Sequence, residues 1–291
     1  MKVSGFTFIR NAVRYDYPLV ESVRSIIPLC NEVIVMAGNS NDNTHELLAA
    51  LPLDTVKIYH STWDDTLREG GRVLALETDK ALAEVKPGTD WAFYIQADEV
   101  LHEQFIEPLY AQMQKYKDDQ SVEGLLFNYV HFYGSYNYIG DSRKWYRNEV
   151  RVIRPGIGIR SYRDAQGFRL NNKPLRVKPA QAAIYHYGWV KPPDKQQEKQ
   201  KFFHKLWHSD KWMQENIPDT DTFDYSAIDS VAPFNGTHPA VMQNRIKQAN
   251  WNPHIDPAKK KLSFRYKILM WFEKHTGIRI GEYKNYRLIP D

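Results

Sequence analysis

The first hundred residues alternate short apolar runs with amphipathic stretches, and polar residues follow each apolar run at once. Lys2 to Ile9 reads as a strand, with Val3, Gly5, Thr7 and Ile9 alternating against Ser4, Phe6 and Phe8. Leu19 to Leu29 reads as a helix, since Leu19, Val23, Ile26/Ile27 and Cys30 fall near helical spacing. Glu32 to Ala37 is an apolar run suited to a buried parallel strand. Gly38 to Thr44 is a turn and a cap, predicting a helix over His45 to Leu51. Val56 to His60 is a third strand. Arg72 to Glu84 is a helix with Val73, Leu76, Ala81 and Leu82 inward. Trp91 to Gln96 is a fourth strand, buried at Trp91, Phe93 and Ile95. This rhythm predicts an α/β domain with a mainly parallel sheet. Such sheets bind ligands beyond the C-terminal ends of their strands. Arg10-Asn11, Asn39-Ser40-Asp42 and Gln96-Asp98-Glu99 stand there.

After Glu99 the rhythm stops. Phe105 to Tyr116 reads as a helix, Leu125 to Phe132 and Val150 to Arg154 as strands, and Lys195 to about Trp212 as one long polar helix. A helix is also expected over Ala240–Gln248, with Thr237 or His238 before Pro239 as its start. His238 reads chiefly as a structural cap and secondarily as an acceptor-pocket residue.

Composition divides the chain at the same place. Residues 1–120 hold 11 Lys/Arg against 19 Asp/Glu, and residues 121–291 hold 28 against 16. Of the 39 aromatic residues, 27 lie in the second part. The lone Cys30 excludes an internal disulfide and any multi-cysteine metal site. No apolar run is long enough to span a membrane. The N-terminus lacks a secretory-signal pattern. A cytoplasmic protein is therefore expected. A basic, aromatic second part also suits single-stranded nucleic acid. No RNA-binding motif accompanies it, so nucleic acid is not expected as a partner.

The strand-end acid pair Asp98-Glu99 suits a hard cation that arrives with substrate phosphates, and it suits a surface turn capping the next helix equally. At this point the sequence resembles the family 2 glycosyltransferases, which have the GT-A fold. That family ends a strand in an acidic triad, commonly extended to D-A-D-E, and here stands Gln96-Ala97-Asp98-Glu99. Its hallmark after the second strand, D-D-G-S-T-D-N-T, stands here as Ala37-Gly38-Asn39-Ser40-Asn41-Asp42-Asn43-Thr44. The resemblance covers about residues 1–100 well and runs more loosely to about 190. It implies a GT-A (Rossmann-like) domain over 1–190, with a nucleotide-binding half at 1–100 and an acceptor half at 120–190. A mainly helical, basic region over 191–291 completes the chain.

The implied activity is transfer of a hexosyl or related sugar from a nucleotide-diphosphate sugar to a hydroxyl acceptor, a glycan or lipid-linked glycan, as in polysaccharide biosynthesis. An inverting mechanism with a carboxylate base and Mg²⁺ or Mn²⁺ is implied. The donor would meet Arg10, Asn11, Asn39, Asp42, Arg72, Gln96 and Asp98. His186, in Tyr185-His186-Tyr187-Gly188-Trp189, resembles the family's histidine that closes the metal or diphosphate site, so Asp98 and His186 are the expected metal residues. Gln96 replaces an acid, which leaves Asp98 most of the metal role and implies a weaker metal dependence. A catalytically silent carbohydrate- or partner-binding relative is the alternative.

Sugar transfer needs positive charge for the diphosphate and a base for the acceptor hydroxyl. Lys191 is expected to add to that charge. Glu149 is the first candidate base, Asp164 the second and Asp141 the third. Tyr138, Trp145, Tyr146 and Trp189 are expected on the acceptor side. Rings between Tyr133 and Phe168 should cluster around one cleft facing Asp98, because sugar faces stack on such rings. Residues 259–291 hold 9 Lys/Arg and 3 acids, with Phe264, Ile268, Leu269, Trp271 and Phe272 interspersed. That pattern suits either peripheral contact with the inner membrane face or a docked helix with a solvated charged face.

Overall fold

The computed structural model describes residues 1–217 and 219–290. In the first part β1 (Val3–Ile9), α1 (Leu19–Ile26), β2 (Glu32–Ala37), α2 (Thr44–Ala49), β3 (Val56–His60), α3 (Arg72–Ala83) and β4 (Trp91–Tyr94) follow one another. β1 pairs in parallel with β2 and β4, and β2 with β3. The fold is α/β with a sheet that is parallel in this half, as expected.

Both faces of the sheet are covered, which explains the unbroken apolar runs. Val33, Val35 and Ala37 share a core with Leu19, Val23 and Ile26 of α1. Ile34 and Met36 point the other way, into a core with Val73, Leu74 and Ala81 of α3. Leu76, expected inward, is exposed and Leu74 takes its place. Glu77 and Thr78 are buried on the same helix, so its inner face is broader than the apolar pattern indicates. Gly5 permits the close approach of α1, since a Cβ there would lie 2.7 Å from Ile26 Cδ1.

The second part continues with β5 (Glu99–Leu101), α4 (Ile106–Tyr116), β6 (Gly124–Tyr133), β7 (Tyr138–Gly140), β8 (Asn148–Ile153), β9 (Ile159–Tyr162), β10 (Gly167–Leu170) and β11 (Lys173–Trp189). The sheet runs β3-β2-β1-β4-β8-β6-β11-β10-β9. β8 is antiparallel to β4 and β6, while β6 and β11 are parallel. β11 has 17 residues, with a register shift between Pro179 and Ala183 where Gln181 adopts φ 56°. That bulge lets one long strand bend and serve two regions.

The C-terminal region holds α5 (Pro193–Lys205), α6 (Asp210–Asn216), β12 (Val231–Pro233), α7 (Gln243–Gln248), α8 (Phe264–Thr276) and β13 (Tyr286–Leu288), with longer irregular connections between them than a mainly helical region would have. The single helix expected over 195–212 is two helices. Ser209 accepts a hydrogen bond from Trp212 N and starts α6, a local cap that competes with continuation of α5. The Ala240–Gln248 helix begins as a 3₁₀ turn before α7. β13 pairs with Leu175–Val177 at the start of β11. α8 contains no buried residue and is tied down by ion pairs, among them Arg143 and Arg279 to Glu273.

Candidate active site

A cavity of about 710 Å³ opens at the C-terminal ends of the parallel strands. β1 brings Phe8, Ile9 and Arg10, and the segment after β4 brings Gln96, Ala97 and Asp98. β8 brings Arg151, the β9–β10 turn Asp164 and Gln166, and β11 His186 and Trp189. α5 and the residues just after it close the far wall with Lys199, Phe203, His204, Trp207 and His208.

Asp98 is the centre of a charged group. Its Oδ2 lies 3.1 Å from Lys199 Nζ and 3.7 Å from His186 Nε2. Burial alone would raise this carboxyl, but Lys199, His186 and Lys191 hold it well below the usual carboxylate range. Lys199 Nζ also donates to Gly188 O at 3.0 Å. A Cβ on Gly188 would sit 2.6 Å from His186 Nε2 and 2.7 Å from Asp98 Oδ2, so only glycine fits beside the pair. Burial, with His186 beside it, pushes His131 down to about 3, so its ring is neutral. The 2.8 Å contact of His131 Nε2 with Tyr146 O then makes Nε2–H the donor. His131 Nδ1 is left as the acceptor for His186 Nδ1–H at 3.1 Å, which turns His186 Nε2 to Asp98.

Glu99 does different work. It is fully buried and paired in two-pronged fashion with Arg151, at 2.9 and 2.8 Å. Tyr129 Oη and Gln96 N also donate to it. Arg151 lies between the rings of Tyr94 and Tyr129 and donates to Gln166 O.

Asp164 reaches the cavity on a strained turn. Its neighbours Arg163 and Ala165 adopt φ 57° and 63°, a left-handed conformation costly for residues with a Cβ. Gln96 Nε2 donates to Ala165 O, and Arg151 Nη1 to Gln166 O, so the strand-end residues hold the turn in place. Gly71 leaves room beside it, since a Cβ there would meet Asp164 and Trp207. Burial raises the Asp164 carboxyl above its ordinary value. Glu149, the first candidate, is 2% exposed and absent from the cavity wall. Asp141 pairs with Lys260 and Ser230.

The other expected donor residues divide. Arg10, Gln96 and Asp98 line the cavity. Asn11, Asn39 and Asp42 stitch the strand-end loops instead. Asn11 Oδ1 accepts from Asn41 N, Asn39 Oδ1 from Trp63 N, and Asp42 from Arg14 N and Thr44. Arg72 is exposed at the start of α3, outside the cavity wall. Lys191 is fully buried, donates to Asp16 O and does not line the cavity.

The rings do not gather in one cleft. Tyr146 and Trp189 line the cavity, whereas Tyr138 and Trp145 pack with Tyr133 and Tyr225. Phe168 packs on Phe6 and Tyr94 in the core, and Tyr136 lies with His238 and Trp251. Core rings and site rings need the same residue types, so composition does not separate them. His238 contacts Tyr187 Oη and Tyr136 O and is structural. Lys199, Trp63, Phe203, His204 and Trp207 escaped the sequence reading. For all but Trp63 the available signal is the run Lys199 to His208, dense in rings and cations on α5 and just past its end.

Solved structures resemble this chain. S. aureus TarS, residues 1–349, matches at 12% identity over 69% of this chain and 64% of that one, with a TM-score of 0.39. Glucosyl-3-phosphoglycerate synthase from Mycobacterium tuberculosis, in complex with Mn²⁺, UDP and phosphoglyceric acid, matches at 20% identity over 45% of this chain and 43% of that one, with a TM-score of 0.29. The 4-diphosphocytidyl-2C-methyl-D-erythritol synthase from Anaerococcus prevotii matches at 10% identity over 53% and 71% of the two chains, with a TM-score of 0.33. The chain spans less than two thirds of the length of the first structures it matches. No protein-family model and no curated protein matches it.

Proposed function

We propose that this chain transfers a sugar, hexosyl or related, from a nucleotide-diphosphate sugar to a hydroxyl of a glycan or lipid-linked glycan, with inversion. The observation that carries the reading is one cavity lined by a buried Lys199 ammonium beside Asp98 and His186 and by a separate carboxylate, Asp164. In this reading the anomeric C–O bond to the β-phosphate breaks and its electron pair leaves on the phosphate oxygen. The anomeric carbon bonds to the acceptor oxygen, and the acceptor proton passes to Asp164. Tyr146 and Trp189 offer faces to the sugars. Since α5 supplies one wall, the catalytic unit extends past residue 190. A screen of UDP-, GDP- and dTDP-sugars for hydrolysis or transfer, with and without Mn²⁺, tests this. Release of no nucleoside diphosphate from any donor would overturn it.

Among the described residues no helix is long and apolar enough to cross a membrane. A lipid-linked acceptor would suit a chain that lies on the inner membrane face, as α8 permits. Its Phe264 and Trp271 are 78% and 63% exposed, beside Arg265, Lys267 and Lys274. Sedimentation with vesicles containing phosphatidylserine should carry the protein down. Phe264→Ala with Trp271→Ala should reduce the bound fraction severalfold, because each ring buries apolar surface in the interface. Equal sedimentation of the two proteins would leave α8 without this role.

A further inference from the structure

We infer that the Lys199 ammonium neutralises the leaving diphosphate where a divalent cation would otherwise stand. The inference rests on the nucleotide-sugar reading above. The residues present do not fit a divalent ion. At phosphate sites magnesium is held by one or two free carboxylates, with substrate phosphate and water completing its six ligands. The strand end leaves Asp98 alone for that role, because Glu99 is committed to Arg151. Gln96, standing where an acid is expected, spends its amide on Tyr94 Oη and Ala165 O, both at 3.3 Å. The decisive observation is that Asp98 Oδ2 already holds an ammonium at 3.1 Å. A metal on the same carboxylate would place two cations side by side in a buried site, where charges repel strongly.

Lys199 is built in rather than adventitious. It sits in the 13-residue helix α5, is 7% exposed, and faces the rings of Tyr17 and Phe203 at 4.9 and 5.3 Å. Of its three N–H groups one goes to Asp98 and one to Gly188 O. The third is left for a ligand in the cavity that Lys199 lines. Asp98 then serves as the anchor that fixes the ammonium, not as a metal ligand. As the C–O bond breaks, the negative charge gathering on the β-phosphate meets this fixed cation without a metal cofactor.

Calorimetric titration of the full chain with UDP, GDP and dTDP, each in EDTA and in Mn²⁺, tests the inference. One nucleotide should bind with the same affinity in both buffers. Lys199→Met should weaken that binding by roughly 10- to 100-fold in EDTA, the range for a lost charge-assisted hydrogen bond. Lys199→Arg should retain most of it. The paramagnetic resonance signal of free Mn²⁺ should be undiminished by the protein. Binding that appears only with Mn²⁺, or stoichiometric Mn²⁺ uptake abolished by Asp98→Asn, would overturn the inference and leave the nucleotide reading standing. Binding in neither buffer would overturn both. Should Lys199→Met fail to fold, the EDTA comparison on the unaltered chain and Lys199→Arg still decide.

Discussion

Asp164→Asn is expected to lower the rate of sugar transfer by about 10²- to 10⁴-fold, the contribution of a positioned general base. Nucleotide binding should survive, because the substitution keeps the turn and its bonds to Gln96 and Arg151. Titration calorimetry and a transfer assay on the same protein separate the two effects. In the unaltered chain the rate should fall with acidity, since the base acts only when ionised. Its half-point should lie above the ordinary aspartate value, in the direction burial moves Asp164. Normal turnover in Asp164→Asn would remove the residue from the mechanism. Glu149 supplies the contrast. Burial pushes it up to about 7. The folded chain therefore keeps a proton that the unfolded chain has released between about pH 4.5 and 7. Stability is lost as the pH rises through that window. Glu149→Gln should remain active and should flatten this dependence in melting curves taken from pH 5 to 8.

The second large effect concerns folding. Arg151→Met should destabilise the chain by about 3–5 kcal/mol, because it strands a fully buried Glu99 carboxylate without its partner. Glu99→Gln combined with Arg151→Met should recover most of the loss, since it removes the unpaired charge. Denaturant titration of the single and double variants reads both values. Equal stability of Arg151→Met and the unaltered chain would mean that Glu99 sheds its charge at no cost. Whatever folds should also transfer sugar poorly, because Arg151 holds the Asp164 turn through Gln166 O.

The first half of the fold was legible because strands buried on both faces must be apolar throughout. Val33-Ile34-Val35-Met36 and Trp91-Ala92-Phe93-Tyr94 have few other ways to satisfy their side chains. The β9–β10 hairpin and β11 were not legible. Lys173 to Trp189 carries two prolines and a bulge, and its pairing is decided by partners as distant as Leu101 and Tyr286. Asp98 and His186 were visible as motif residues, and the structure brings them together. Lys199 was not, because a lysine on a polar helix has the pattern of a solvated face. Only the docking of α5 against the end of β11 buries it. An acid close to Trp145 and Tyr146 suggests a site, which places Glu149 ahead of Asp164 in the sequence. The strand register turns Glu149 inward, and an unusual backbone turn, which the sequence does not announce, delivers Asp164.

β11 has a kinetic consequence. It pairs with β6, β5 and β13, segments that lie far from it along the chain. Loops that long must close before their contacts stabilise anything, which slows folding. β1, β2 and β3, whose paired residues Ser4↔Glu32 and Val33↔Val56 lie far closer along the chain, can associate earlier. His186 and Trp189 ride on the late strand and Lys199 on the helix behind it. The early strands can thus exist for a time without the ammonium that would hold a diphosphate against them. A nascent chain stalled at that stage would present strand ends with no cavity closed over them.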